Sequence, residues 1–426
     1  MPPDEDVKEA GTLREGLARR LGTGDAVVVG LSAMIGAGVF AAFAPAAAVA
    51  GPWLLVSLAL AAVVAYCNAT SSARLAALYP ESGGTYVYGR RRLGPLWGYL
   101  AGWGFTVGKT ASCAAMALTF GAYALPGLER PLAVLAVAAL TVLNLFGVQR
   151  SAGVARVLVA FVLAVLVAVI AAGLFGDDVV TFGWFANMPA PTIDVWGVSQ
   201  GAGLLFFAFA GYARIATLGE EVRDPARTIP RAVGIALGIT LAVYTLVAVA
   251  ALRTLKPELL AASQAPLADL VREAGFGWLA PVVGVGAAVA ALGALLALLL
   301  GVSRTVLAMA RERDLPGALA AVDPVRQAPR RAELAVGAAV IVLLLVADLR
   351  GAIGFSSFGV LVYYAIANAS ALTLGRDEGA PPRAVPVVGL VLCLVLAATL
   401  PLVSVLAGLA VFAAGLVIYL ARRSVR

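Results

Sequence analysis

Two basic side chains stand inside long apolar stretches of this sequence. Lys109 lies about 14 residues into the stretch 95–124, and Arg214 lies in the second half of the stretch 197–219. Ionisable residues at such depth are uncommon and typically face a polar interior where they take part in function. A buried lysine can release its proton, whereas an arginine stays charged. Lys109 is therefore a candidate proton carrier, and Arg214 is a candidate fixed charge.

Each of these charges is open to two interpretations. Lys109 is one of three lysines among the 31 basic residues. It either loads and unloads a proton, or it is a fixed cation that holds the first apolar helix against the third. Thr106 shares its helical face, three residues earlier. Arg214 shares a face with Glu221 and is expected to pair with it or to extend toward the nearer membrane surface; otherwise it is a charge near an inner vestibule.

The composition indicates which elements must position these charges. The chain is 62% hydrophobic and 13% charged, whereas soluble domains have about 25% charged residues. A membrane-spanning helix needs about 20 mostly apolar residues. Twelve stretches meet this requirement: 27–48, 53–73, 95–124, 131–148, 154–175, 197–219, 231–252, 277–303, 333–348, 352–374, 384–400 and 402–420. The sequence therefore predicts an all-α polytopic membrane protein with twelve transmembrane helices.

The distribution of basic residues predicts the orientation. Twelve crossings place both termini on one side, and most Lys and Arg residues in the loops fall on that side. The basic residues predicted on the other side are Arg130, Arg253, Lys256, Arg272 and Arg350. Because cytoplasmic loops carry the Lys/Arg excess, we expect both termini in the cytoplasm and the chain in the cytoplasmic membrane. The net charge of +7 then reflects topology, and nucleic acid is not expected as a partner.

Several classes of function are disfavoured. The sequence has no histidine, and its three cysteines are far apart, so neither a metal site nor a disulfide framework is predicted. A phosphate-binding loop is missing as well, and we expect no cofactor and no enzymatic activity. A channel would favour a repeated filter loop, which is not visible. The first 25 residues are polar and charged, so no cleavable signal peptide is predicted.

The first and sixth stretches are each interrupted by residues that weaken a helix. The first carries IGAGVF (35–40), and the sixth carries Ala210-Gly211 within FFAFAGYARIATLGEE (206–221). Glycine costs about 1 kcal/mol in a helix interior relative to alanine. Interrupted helices at matching positions of two halves indicate a transporter built of inverted repeats, with its site near the bilayer midplane. The alternative for the first stretch is a close helix-packing seam of small residues.

Four segments resemble the amino acid–polyamine–organocation (APC) transporter superfamily. They are AMIGAGVFAAFA (33–44), ESGGTYVYGRRRLGPLWGYLAGW (81–103), FFAFAGYARIATLGEEVRDPARTIPRA (206–232) and SRTVLAMARERDLP (303–316). The resemblance covers most of the chain in the expected order. It implies the five-plus-five inverted repeat (LeuT-like) fold with broken helices 1 and 6, two extra C-terminal helices, alternating access, and an amino acid or related amine as substrate.

The implied organisation follows the repeats. A cytoplasmic tail (1–24) precedes the first repeat with helices one to five (25–175). The second repeat with helices six to ten (195–375) is followed by a hairpin of helices eleven and twelve (384–421) and a cytoplasmic C-terminal tail (422–426).

The resemblance also implies a substrate site. The substrate carboxylate would lie on backbone N–H groups of Ala37, Gly38 and Val39, and the amine on carbonyls around Ala33, Met34 and residues 207–210. The full predicted set is Ala33, Met34, Ile35, Gly36, Ala37, Gly38, Val39, Thr106, Phe207, Ala208, Phe209, Ala210 and Gly211.

Gating residues are expected beside this site. Phe206, Phe207 and Phe209 could cover the substrate, with Phe207 preferred, or could simply pack between helices. Glu220 and Glu221 end the sixth span and are predicted either to pair with arginines of other cytoplasmic loops, latching that side, or to be a solvated helix end.

The charged residues inside the predicted spans indicate the class of substrate and the coupling ion. With no Asp or Glu deep in a span, a neutral or apolar amino acid is favoured over a cationic amino acid or a polyamine.

Many proton-coupled relatives carry a lysine in the fifth helix, where this chain has VAFVL (159–163), so Lys109 is the proposed substitute. Proton coupling and exchange both stay open. Sodium coupling would need ligands between helices one and eight, where Ser32 and Ser303 form no clear cluster. The oligomeric state is not predicted.

Overall fold

The computed structural model describes residues 21–79, 83–146, 152–176, 193–216, 218, 221–323 and 329–424. The helices of the first half are α1 (Thr23–Met34), α2 (Ala37–Ala41), α3 (Phe43–Ala50), α4 (Leu54–Leu78), α5 (Thr85–Arg92), α6 (Pro95–Ala124), α7 (Glu129–Leu145) and α8 (Ala152–Phe175). Those of the second half are α9 (Val195–Phe209), α10 (Ala213–Ala216), α11 (Pro225–Thr254), α12 (Pro257–Ala262), α13 (Pro266–Glu273), α14 (Ala280–Arg311), α15 (Arg330–Val346), α16 (Leu349–Leu372), α17 (Ala384–Thr399) and α18 (Leu402–Ser424).

Every predicted span corresponds to a helix or to a broken helix. The first span is α1 to α3, the sixth is α9 to α10, and the others are α4, α6, α7, α8, α11 and α14 to α18. Within the described residues, eight helical segments are long and apolar enough to cross a membrane by length and composition alone. The remaining predicted spans are α6 and the shorter helices α7, α15 and α17. The predicted all-α polytopic fold is confirmed.

Both predicted helix interruptions are present. α1 ends at Met34, and Ile35 and Gly36 leave the helical conformation with ψ values of 49° and −142°. In the sixth span α9 ends at Phe209, and Ala210–Tyr212 forms a tighter 3₁₀ turn before α10. Each break therefore falls at the small residues of its span, where helix propensity is weakest.

Small residues also set the position of α6, which lies between α14 and α16. A Cβ added to Gly108 would lie 3.1 Å from the carbonyl oxygen of Ser356, and one added to Gly359 would lie 2.8 Å from that of Gly104. Backbones of membrane helices approach this closely only at small residues. This close packing of α6 against α16 fixes the position of the helix that carries Lys109.

Three short helices in the loops were not predicted. α12 and α13 follow α11, and α5 lies between α4 and α6. Arg90 on α5 forms an ion pair of 2.9 Å with Asp314, which also accepts a 2.7 Å hydrogen bond from the hydroxyl of Tyr86. Arg92 pairs with Glu378 in the loop after α16. These contacts attach α5 to the loops that follow α14 and α16.

Candidate functional site

The two helix breaks lie directly against each other. A Cβ added to Gly38 would lie 2.6 Å from the Cα of Ala208, and one added to Gly211 would lie 2.3 Å from the carbonyl oxygen of Ala33. Real Cβ atoms essentially never come this close to other atoms, so both glycines are in backbone contact with the opposite break. The structure thus brings the predicted residues 33–39 and 207–211 together.

Tyr244 on α11 links the two breaks. Its hydroxyl lies 2.6 Å from the carbonyl oxygen of Met34 and 3.1 Å from that of Ala208, and it can donate its single proton to either. Its ring makes edge contacts with Phe43 and Phe209. Sequence reasoning missed this residue. The available signal was a tyrosine inside an apolar helix, since a buried tyrosine hydroxyl needs a hydrogen-bond partner.

We expect Tyr244→Phe to destabilise the protein by about 1–3 kcal/mol, because it leaves a buried carbonyl without its donor and keeps the ring contacts. Thermal unfolding of purified protein in detergent measures the change. The matched control is Tyr66→Phe, which removes a hydroxyl from a side chain that is exposed. Equal melting temperatures for the two variants would contradict a structural role for the Tyr244 hydroxyl.

Lys109 reaches the break in the sixth span. Its Nζ donates a 3.2 Å hydrogen bond to the carbonyl oxygen of Ala210, and the side chain is buried. A 3₁₀ turn leaves carbonyls that an intact α-helix would occupy, and an ammonium group is a strong partner for one of them. The lysine predicted to act near the site therefore binds the backbone of the break itself. Lys109 itself lies on α6, the third span, so this hydrogen bond joins the third span to the sixth. That it also holds the first helix against the third stays a prediction.

The first break leaves backbone groups without partners inside their own helix. The first N–H groups of an α-helix have no partner within the helix, which at α2 concerns Ala37, Gly38 and Val39. At the end of α1, the carbonyl of Ala33 lies against Gly211 and that of Met34 accepts from Tyr244. Residues 34–47 are all buried, so these groups are shielded from bulk water. Unpaired N–H groups at the start of one helix beside the carbonyls that end another are an arrangement suited to a zwitterion.

The three phenylalanines differ in their surroundings. Phe206 makes an edge contact with Tyr364 at 5.8 Å, and Phe209 makes one with Tyr244 at 5.0 Å. Both are fully buried, as residues that pack between helices are. Phe207 is buried as well, with 8% of its surface exposed, and the gating role of these phenylalanines stays a prediction. Thr106 faces α14, where its hydroxyl lies 3.8 Å from the sulfur of Met309.

At the end of the site away from the N-terminus, Tyr123 on α6 links α2 to α13 through its hydroxyl. Its hydroxyl donates to the carbonyl oxygen of Phe40 at 3.0 Å and accepts from the backbone N–H of Leu267 at 3.2 Å. The first contact is on α2 and the second on α13. Outside this closure lies a cavity of about 560 Å³ whose lining includes Pro45, Arg130 and Arg350. Its lining also includes Ala41 and Ala44, so it borders the broken first helix.

The N-terminal end of the site is closed mainly by backbone contacts. Leu21 pairs with the loop after the sixth span, donating to the carbonyl of Glu221 at 3.1 Å and accepting from the N–H of Arg223 at 2.9 Å. Asp25 on α1 forms an ion pair with Arg156 on α8. The contact made here by Glu221 is through its backbone carbonyl, and the predicted pairing of Glu220 and Glu221 with loop arginines stays a prediction. Glu220 lies outside the described residues.

Arg214 lies on α10, near this closed end. Glu221 and Arg304 are its charged neighbours, one attracting and one repelling. The predicted proximity of Arg214 and Glu221 is thus present. Ser32 and Ser303, the candidates for a sodium site, both donate back to their own helices, to the carbonyls of Val29 and Leu299 at 2.8 Å each.

Comparison with known proteins identifies the family. The model of the amino acid permease family matches residues 21–420. An uncharacterized transporter of Mycobacterium tuberculosis (strain H37Rv) is 65% identical over 412 residues, covering 96% of this chain and 92% of the relative. A branched-chain amino acid permease of Bacillus subtilis is 26% identical over 97% of this chain and 95% of its own length. A chloroplastic cationic amino acid transporter of Arabidopsis thaliana is 30% identical over 86% of this chain and 67% of its own length. The chain is therefore a transporter of the amino acid permease family in the APC superfamily.

Proposed function

We propose that this transporter moves a neutral, apolar amino acid across the cytoplasmic membrane by alternating access. Both termini would be cytoplasmic, because the loop arginines are concentrated on their side. The observation that carries the proposal is the contact of the two helix breaks at Gly38 and Gly211, with Lys109 bound to the carbonyl of Ala210.

The backbone supports recognition of the amino acid headgroup. The N–H groups at the start of α2 would bind the carboxylate, helped by the positive end of the helix dipole. Carbonyls of the breaks would bind the α-amine. Tyr244 donates to the carbonyl of Met34 or to that of Ala208, and Lys109 donates to that of Ala210, but a carbonyl oxygen has two lone pairs and can accept again.

The fixed charges favour a neutral side chain. Lys109 adds positive charge beside the break. Among the described residues, the buried acids Asp314 and Glu333 lie in the loop after α14 and in the first turn of α15. A cationic side chain would meet repulsion from Lys109 and would lack a carboxylate partner at depth. The relatives include proteins named for branched-chain and for cationic amino acids, so a cationic amino acid or polyamine antiporter is the second candidate.

Lys109 is also the proposed coupling group. Loss of its proton would weaken the bond to the Ala210 carbonyl, and the break in the sixth span could then change conformation. Proton symport and exchange both fit this scheme.

Uptake competition in proteoliposomes tests the substrate class. We expect unlabelled leucine, valine and methionine to reduce uptake of labelled leucine by about tenfold at a hundredfold excess, while arginine and putrescine leave it unchanged. Binding raises the melting temperature by mass action, so a thermal-shift screen of the twenty amino acids is an independent check. If arginine or putrescine competes better than leucine, the neutral assignment is wrong. If no amino acid is bound or transported, the proposal as a whole is wrong.

A further inference from the structure

A second cavity lies at the membrane boundary, far along the chain from the helix breaks. It has a volume of about 560 Å³ and lies between the end of α16 and the start of α17. Its apolar lining includes Leu372, Leu374 and Pro386. Because α16 ends at Leu372 and α17 begins at Ala384, the loop that forms the cavity lies at the level of lipid headgroups.

Two arginines line the same cavity. Arg376 and Arg383 are exposed, and within the described part of the chain neither guanidinium has a hydrogen bond or an ion pair. This distinguishes them from Arg90 and Arg92 on α5, which are paired with carboxylates. Two unpaired guanidinium groups around one cavity are suited to a phosphate group, which they can bind through several charge-assisted hydrogen bonds.

The acids of this loop do not neutralise the two arginines. Glu378 is bound by Arg92 and by the backbone N–H of Gly375, and these hydrogen bonds lower its pKa, so that it stays ionised and engaged. Asp377 is exposed and is not part of the cavity lining. The cavity therefore keeps its positive charge.

An apolar surface continues from the cavity along α17. Val387, Val391 and Leu394 have 45%, 51% and 54% of their surface exposed, and Val388 and Val395 lie on the same side. This spacing follows one face of a helix. In a helix of a membrane protein such a face is covered by acyl chains, and here it begins one residue beyond Pro386 in the cavity lining.

We propose that this cavity binds the headgroup of an anionic phospholipid, with its phosphate on Arg376 and Arg383 and its acyl chains along the exposed face of α17. Basic pockets between membrane helices commonly bind anionic headgroups. A free phosphate ion would share the contact with the arginines but would make no use of the apolar face.

Native mass spectrometry of the purified, delipidated chain tests this site. We expect wild-type protein to bind phosphatidylglycerol in preference to phosphatidylcholine. The double variant Arg376→Ala/Arg383→Ala should bind phosphatidylglycerol about tenfold more weakly or worse, because it removes two basic residues that each contribute to binding at an anionic membrane surface. Arg376→Lys/Arg383→Lys keeps both charges and should retain most of the binding.

The matched control removes two arginines from the cavity of about 560 Å³ on the other side, with Arg130→Ala/Arg350→Ala. This pair should leave phosphatidylglycerol binding at this site unchanged. Equal binding by wild type and the Arg376/Arg383 double alanine variant would overturn the proposal, as would an equal loss in the control pair. Displacement of the lipid by inorganic phosphate at the same concentration would show a free-anion site and refute the lipid assignment. The wild-type preference between the two lipids is informative even if a variant does not fold.

Discussion

Gly38→Ala is expected to lower transport by about tenfold or more. The added Cβ would lie 2.6 Å from the Cα and 2.8 Å from the Cβ of Ala208, so α2 and α9 must separate. Overpacking of this kind costs about 1–3 kcal/mol, and 1.4 kcal/mol corresponds to a tenfold change. Because the N–H groups of the first break belong to the proposed carboxylate site, the separation displaces them from the substrate. Gly38→Val should abolish substrate binding altogether.

The control for this prediction is Gly238→Ala on α11. It adds the same methyl group to a helical glycine, but no atom lies within 4 Å of the new Cβ. Both substitutions should increase intrinsic helix stability by up to about 1 kcal/mol, so they differ mainly in the clash. Uptake per amount of protein in membrane vesicles, together with expression level, provides the comparison. Transport at the wild-type rate by Gly38→Ala would show that the first break is a helix-packing contact and not part of the substrate site.

Lys109→Met is expected to lower transport by about tenfold or more and to flatten its dependence on pH. Methionine approximates the length of the lysine side chain but carries no charge, so the carbonyl oxygen of Ala210 loses its donor. A hydrogen bond to a charged group contributes about 1.5–3 kcal/mol. Uptake into proteoliposomes, measured at several pH values with and without an imposed proton gradient, tests both effects.

Lys109→Arg separates the two roles proposed for this residue. Arginine keeps the positive charge but does not release a proton in proteins. If Lys109 carries the coupled proton, the arginine variant loses the pH dependence; if Lys109 is a fixed cation, the variant keeps both transport and pH dependence. Lys256→Met, which changes an exposed lysine in a loop, is the matched control. A Lys109→Met variant with normal rate and normal pH dependence would eliminate the proton role.

Local properties of the sequence predicted much of the fold. Hydropathy over about 20 residues predicted the twelve spans, and the glycines of the first span and Ala210-Gly211 of the sixth predicted where those helices break. The short helix α5 was missed because its apolar content is low and its position depends on ion pairs with distant loops. The interruption between α2 and α3 at Ala42 was also missed, although Pro45 is a signal for it, because proline lacks the N–H that would bond to the carbonyl of Ala41.

The candidate site was predictable as a region but not as a set of contacts. The sequence alone determined that this protein is a membrane transporter with two interrupted helices and a lysine at depth, because these properties depend on composition and on neighbours along the chain. Tertiary structure decided that Lys109 binds Ala210, that Tyr244 bridges Met34 and Ala208, and that Phe206 and Phe209 pack rather than stand free. A polar side chain inside an apolar helix can form a hydrogen bond with whichever helix packs beside it. The neighbouring helix is decided by tertiary packing, here by glycines that lie in contact with the backbone of another helix.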